Sequence, residues 1–138
     1  MATARILLGF LCFASISSLG QSDGDLLKEA TARTQLLNTA RREIGVRELT
    51  GKNDGKKVVE YLASVKLSIG EPWCAAFISW VFKQNGYLEP NTGWSPAMFP
   101  KSRILANVIE NASKANVFGI YIIAKKRIAH VGLVEDQH

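Results

Sequence analysis

"EPWCAAFISW", Glu71–Trp80, places a cysteine at the head of a nearly all-apolar run, directly behind a proline and a tryptophan. Proline disfavours helical backbone at the residue before it, so Glu71 is held extended. The pattern predicts a helix from Cys74 to Asn85, with Gly86 as its stop. Positions 75–78 and 80–82 are apolar almost all round, so this helix should be buried on most sides. A buried central helix needs other elements to cover it, and the flanking sequence is read with that requirement.

Upstream, Leu26, Leu27, Ala30, Leu36, Leu37, Ala40 and Ile44 recur at helical steps, which predicts a helix over 24–45 ending at Gly45. "RELTGKNDGKK" (47–57) is a polar loop rich in turn formers. "VVEYLASV" (58–65) reads as a short helix with Val58, Leu62 and Val65 inward. Downstream, "LEPNTGWSPAMFPKS" (88–102) is an irregular crossing, and a further short helix is expected near 103–113. The tail changes period. "VFGIYII" (117–123) and "IAHVGLV" (128–134) are rich in β-branched and aromatic residues, and the charged "AKKR" between them completes a hairpin. Helices first and strands last predict an α+β fold with an antiparallel sheet.

The chain has 138 residues, enough for one ordinary domain and too few for two. Its first twenty residues stand apart. "MATAR" carries one positive charge, "ILLGFLCFASISSLG" carries none, and small residues follow before the polar "QSDGD". This is the layout of a secretory signal peptide over 1–20, so the mature domain is expected to span 21–138 and to be exported to the periplasm, cell wall or medium. The apolar run is short for a membrane-spanning helix, and no stable membrane insertion is expected after its removal. Cys12 leaves with that segment, which makes Cys74 the single remaining thiol. An exported chain with one cysteine has no internal disulfide partner. Either Cys74 is an inert core thiol, since cysteine is among the most buried residue types, or it does chemistry.

Position favours chemistry. In the first turn of a helix the backbone N–H groups lack intrahelical acceptors, and the helix dipole favours negative charge. Both stabilise a thiolate, which is the nucleophilic form. The same N–H groups suit an oxyanion formed when sulfur attacks a carbonyl. A thiol nucleophile also needs a base. The chain has two histidines, and His138 is the last residue. His130 lies in the second predicted strand, where alternation would place it on one face with Ile128, Gly132 and Val134. The bare Gly132 beside it would admit a close approach by backbone or substrate. Cys74 and His130 are therefore the candidate nucleophile and base.

"PWCAAFISWVF" and "RIAHVGLVED", preceded by "ARREIGVRELTGKNDG", resemble the CHAP family, the cysteine, histidine-dependent amidohydrolase/peptidases of bacterial cell-wall turnover. The resemblance covers about residues 36–136. It implies a papain-like fold, and hydrolysis of peptidoglycan amide bonds through a thioester acyl-enzyme, with peptidoglycan peptide stems as partner. It implies Cys74 as nucleophile and His130 as general base. Amidase and endopeptidase action both fit. In two places the chain departs from the family pattern. Ala115-Asn116 stands where a Gly-Asp type of turn is usual, and the family's imidazole-orienting residue comes from a strand that follows the histidine. The chain stops at His138, so the domain reads as truncated at its C-terminus, and neither Glu135 nor Asp136 is given that role.

Two other functions stay open: a non-catalytic wall-binding module of degenerate sequence, and a secreted antibacterial effector with the same chemistry. No cofactor or metal is expected, because one cysteine and one well-placed histidine fall short of a zinc ligand set. "KKR" (125–127) lacks interleaved aromatics and reads as a solvated turn, so no nucleic-acid partner is expected. Trp73 and Trp80 read as core anchors, and Trp94 as a residue that lines a cleft.

Overall fold

The structure is a computed structural model that describes residues 23–103 and 116–135. Helix α1 (Asp23–Arg41) is followed by α2 (Lys56–Ser64) and α3 (Cys74–Gln84). Two 3-10 turns, Ser95–Met98 and Lys101–Arg103, lie in the crossing segment. Strands β1 (Val117–Ile122) and β2 (Arg127–Leu133) form an antiparallel pair joined through a 3-10 turn, Ile123–Lys125. The fold is α+β, as expected from the order of patterns. The expected signal peptide and most of the expected helix near 103–113 lie outside the described residues, as do Asp136 and His138. Among the described residues no helix is long and apolar enough to cross a membrane.

Helix α3 is central because its apolar surface runs round the axis. On one side Ala76, Trp80 and Val81 pack with Val58, Tyr61 and Leu62 of α2 and with Leu36 of α1. The Tyr61 ring organises this cluster, with Phe77 and Trp80 each 5.1 Å away and Trp73 at 5.9 Å between ring centroids. On the other side Ala75 and Ile78 meet Val131 of β2, with Met98, Phe99, Val117 and Ile128 closing round them. The helix therefore joins the two halves of the core. Gly86 takes a positive φ of 82° just past its end, a conformation that glycine adopts without steric cost.

Helix α1 departs from expectation. Leu36 is buried, but Leu26 and Leu27 are exposed, and Ile44 lies beyond the helix end with 82% of its surface free. The leucine spacing is helical, yet only the C-terminal half of α1 meets the core.

The hairpin carries a second correction. His130 pairs with Ile120, but the next partner of β1 is Ile128, opposite Tyr121, so Ala129 is an extra residue on β2. Such a bulge breaks the two-residue alternation. Ile128 consequently stands on the core face with Val131 and Leu133. His130 is on the opposite face with Gly132 and is exposed, rather than beside Ile128. The space over Gly132 is also taken. A Cβ there would stand 2.5 Å from the ring of Phe118, its cross-strand partner, so that ring is what approaches the bare backbone.

Candidate functional site

Cys74 is the first residue of α3 and is half-buried. Trp73 occupies the N-cap position and no side chain caps the helix, so the first-turn N–H groups are left without a side-chain acceptor. β2 runs past this helix end, and one open cleft of about 740 Å³ has Cys74 and His130 both in its walls. Its volume lies in the range of small-ligand and peptide-fragment sites. Pro72, Trp73 and Phe77 line it from the helix entrance, Ala129–Leu133 from β2, and Leu37 and Ala40 from α1. Both sequence-derived candidates thus border the same open cleft, but from different sides of β2: Cys74 packs against the core face of the strand, whereas His130 is on its exposed face.

The thiol's own polar partner was not foreseen. Cys74 Sγ lies 3.5 Å from Ser95 Oγ, and Ser95 is buried. Ser95 comes from the crossing segment, which is clamped to α3 one turn and a half further on. There Ser79 Oγ donates to the Thr92 carbonyl at 2.8 Å and accepts from the Thr92 N–H at 3.0 Å. Nothing local in "NTGWSPAM" signals this, because the contact depends on how the crossing docks.

The loop before α2 builds another wall. Glu48 Oε1 accepts from the Trp73 indole N–H at 2.9 Å, and Glu48 Oε2 accepts from the Asn53 N–H at 2.9 Å. Asn53 sits at a φ of 53° and its amide donates to the Gly70 carbonyl at 3.0 Å, tying the loop to the approach into α3. Asp54 holds the turn by accepting from the Thr50 N–H and hydroxyl, and these bonds, the Thr50 N–H first, lower its pKa. Glu48 and Asn53 both line the cleft. In the sequence they are ordinary polar loop residues, and only the position of Trp73 reveals their part.

Within the cleft wall the Tyr61 hydroxyl donates to Glu43 at 2.6 Å. Burial, then this bond and the nearby carboxylates, push the Tyr61 pKa above the tyrosine range. Lys57 bridges Glu43 and Glu60 at 3.2 Å each. Burial pulls its pKa down, but the two carboxylates outweigh that and raise it.

At the far end of β2, Arg41 of α1 donates to Glu135 through Nε at 2.8 Å, and Arg33 donates to the Val134 carbonyl at 3.2 Å. Glu135 lines the cleft but is engaged by Arg41. Trp94 is not in the wall of this cleft; its exposed indole lies under the Arg127 guanidinium, 4.3 Å away. Trp80 is buried as expected, whereas Trp73 is both packed against the core and part of the cleft wall.

Compared with family models, with curated proteins and with solved structures, the chain matches none of them.

Proposed function

We propose that the protein is an exported cysteine hydrolase of papain-like fold that cleaves amide bonds in peptidoglycan peptide stems. The observation that supports this reading is the shared cleft of Cys74 and His130, with the uncapped start of α3 at one wall. The CHAP-like motifs point to the same pair.

In this reading the His130 imidazole takes the proton from Cys74 Sγ, and the thiolate attacks the amide carbonyl carbon. The carbonyl oxygen gains negative charge and accepts hydrogen bonds that the first N–H groups of α3 can donate. The tetrahedral centre collapses, imidazolium gives its proton to the leaving nitrogen, and the C–N bond breaks. A thioester is left on Cys74. Water, deprotonated by His130, then attacks it and releases a carboxylate and the free thiol. Both amidase and endopeptidase action fit these steps.

One observation favours a second reading. The thiol's hydrogen-bond partner is the Ser95 hydroxyl rather than an imidazole, as a wall-binding module without catalysis would allow. Incubation with purified sacculi separates the two. Hydrolysis requires that the wild type release soluble muropeptides and that Cys74→Ala and His130→Ala release none. Equal release by Cys74→Ala contradicts it, and co-sedimentation with sacculi without products would favour the binding module.

A further inference from the structure

We infer that Ser95 is a positioning residue for the Cys74 sulfur, with its hydroxyl donating to the thiolate and holding it toward the cleft. This rests on the hydrolase reading for its biological meaning, though not for its test.

Three observations support it. Ser95 is only 5% exposed, and a hydroxyl removed from water needs a partner. The partner in place is Cys74 Sγ at 3.5 Å, within reach for sulfur, with either atom able to donate. Once the thiol is ionised it can only accept, so the Ser95 O–H must then be the donor. Second, the placement is built rather than incidental. Ser79 and Thr92 are joined by two hydrogen bonds, which fixes the crossing segment at one point along α3. From Ser79 back to Cys74 the helix covers about 7.5 Å at 1.5 Å per residue. The three steps from Thr92 to Ser95 span about 10 Å when extended, and Trp94 is in extended backbone. The clamp therefore delivers Ser95 to the head of the helix. Third, Trp94 and Pro96 flank Ser95 at the start of its 3-10 turn, where the Ala97 N–H bonds the Trp94 carbonyl and fixes the backbone that carries the hydroxyl.

A donor to sulfur raises the thiolate population but lowers the nucleophilicity of each thiolate, with a Brønsted slope near one half. The two effects have different pH dependences, which a purely steric role would not show. The test is the rate of Cys74 carbamidomethylation by iodoacetamide, read by intact mass, for the full chain and its variants. At about pH 7, Ser95→Ala is expected to react about threefold more slowly than wild type, and Ser95→Thr at the wild-type rate. At about pH 10, where the thiol is ionised with or without the donor, the Ser95→Ala deficit should vanish or reverse. Ser95→Ala reacting at the wild-type rate near neutrality overturns the inference. So does a deficit that persists unchanged at high pH, which would report access alone. If Ser95→Ala does not fold, Ser95→Val against Ser95→Thr, equal in size and differing by the hydroxyl, carries the same comparison. Absence of muropeptide release by the wild type would defeat the hydrolase reading while leaving this contrast intact.

Discussion

The indole N–H of Trp73 donates to Glu48 Oε1 at 2.9 Å, one residue before the cysteine that opens α3. Glu48 also accepts the Asn53 N–H on its other oxygen, so one carboxylate joins the polar loop to the helix entrance. Removing it leaves two part-buried donors without their partner. Glu48→Ala is expected to lower stability by about 1–3 kcal/mol, read as a fall of several degrees in thermal midpoint. Glu48→Gln, which keeps one carbonyl acceptor, should lose less. An unchanged midpoint in Glu48→Ala would show that the loop is not held through this residue.

Ser79 is buried and bonds both backbone groups of Thr92. Ser79→Ala orphans an N–H and a carbonyl together, and is expected to cost about 1–3 kcal/mol in urea unfolding. Because Thr92 sets where Ser95 docks, the same variant should also slow carbamidomethylation of Cys74. Normal stability and normal thiol reactivity together would contradict the clamp.

Burial of the Tyr61 hydroxyl against Glu43 sets a pH dependence whose sign follows from linkage. The folded-state pKa of Tyr61 lies above its unfolded value, so the folded chain binds the proton more tightly. The contribution is fully present below about pH 10, the ordinary tyrosine value, and is lost as pH rises further. The slope approaches about 1.4 kcal/mol per pH unit for this one proton. Lys57, also raised, acts in the same direction above its ordinary range. Urea midpoints from pH 8 to 11 should decline steeply in the wild type and less steeply in Tyr61→Phe. Parallel curves would show that Tyr61 ionises as freely folded as unfolded.

Gly132 lies under the Phe118 ring, where a Cβ would meet Phe118 Cε1 at 2.5 Å. Gly132→Ala is expected to cost about 1–3 kcal/mol by overpacking. The ring is partly exposed, so Phe118→Leu should remove much of that cost. In a double-mutant cycle the two changes should couple by at least about 0.5 kcal/mol. Additivity would mean that the ring does not rest on this glycine.

The start of α3 at Cys74 and its end before Gly86 were legible because local chemistry decides them. Pro72 blocks helix before it, the apolar run demands burial, and glycine accepts the positive φ that closes the helix. The hairpin was legible for a similar reason, from its β-branched and aromatic runs. The side on which His130 lies was not, because the extra residue at Ala129 reverses the alternation, and alanine in a strand carries no mark of a bulge. Leu26 and Leu27 misled in the opposite sense, since helical spacing reports the helix and not whether anything covers it. Ser95 and Glu48 escaped because their roles depend on partners 21 and 25 residues away in the chain. The same limit applied to Trp94, whose ring meets the Arg127 guanidinium rather than this cleft.

The central claim is that the imidazole at 130 serves the sulfur at 74 across their common cleft. The rate of Cys74 carbamidomethylation between about pH 6 and 9, compared for wild type and His130→Ala, tests it most directly. A working pair should make the wild-type thiol at least about tenfold faster near neutrality, with the two curves converging as pH rises and the thiol ionises unaided. Superimposable curves would mean that the two side chains share a cleft without acting on each other, and the nucleophile–base pairing would be wrong.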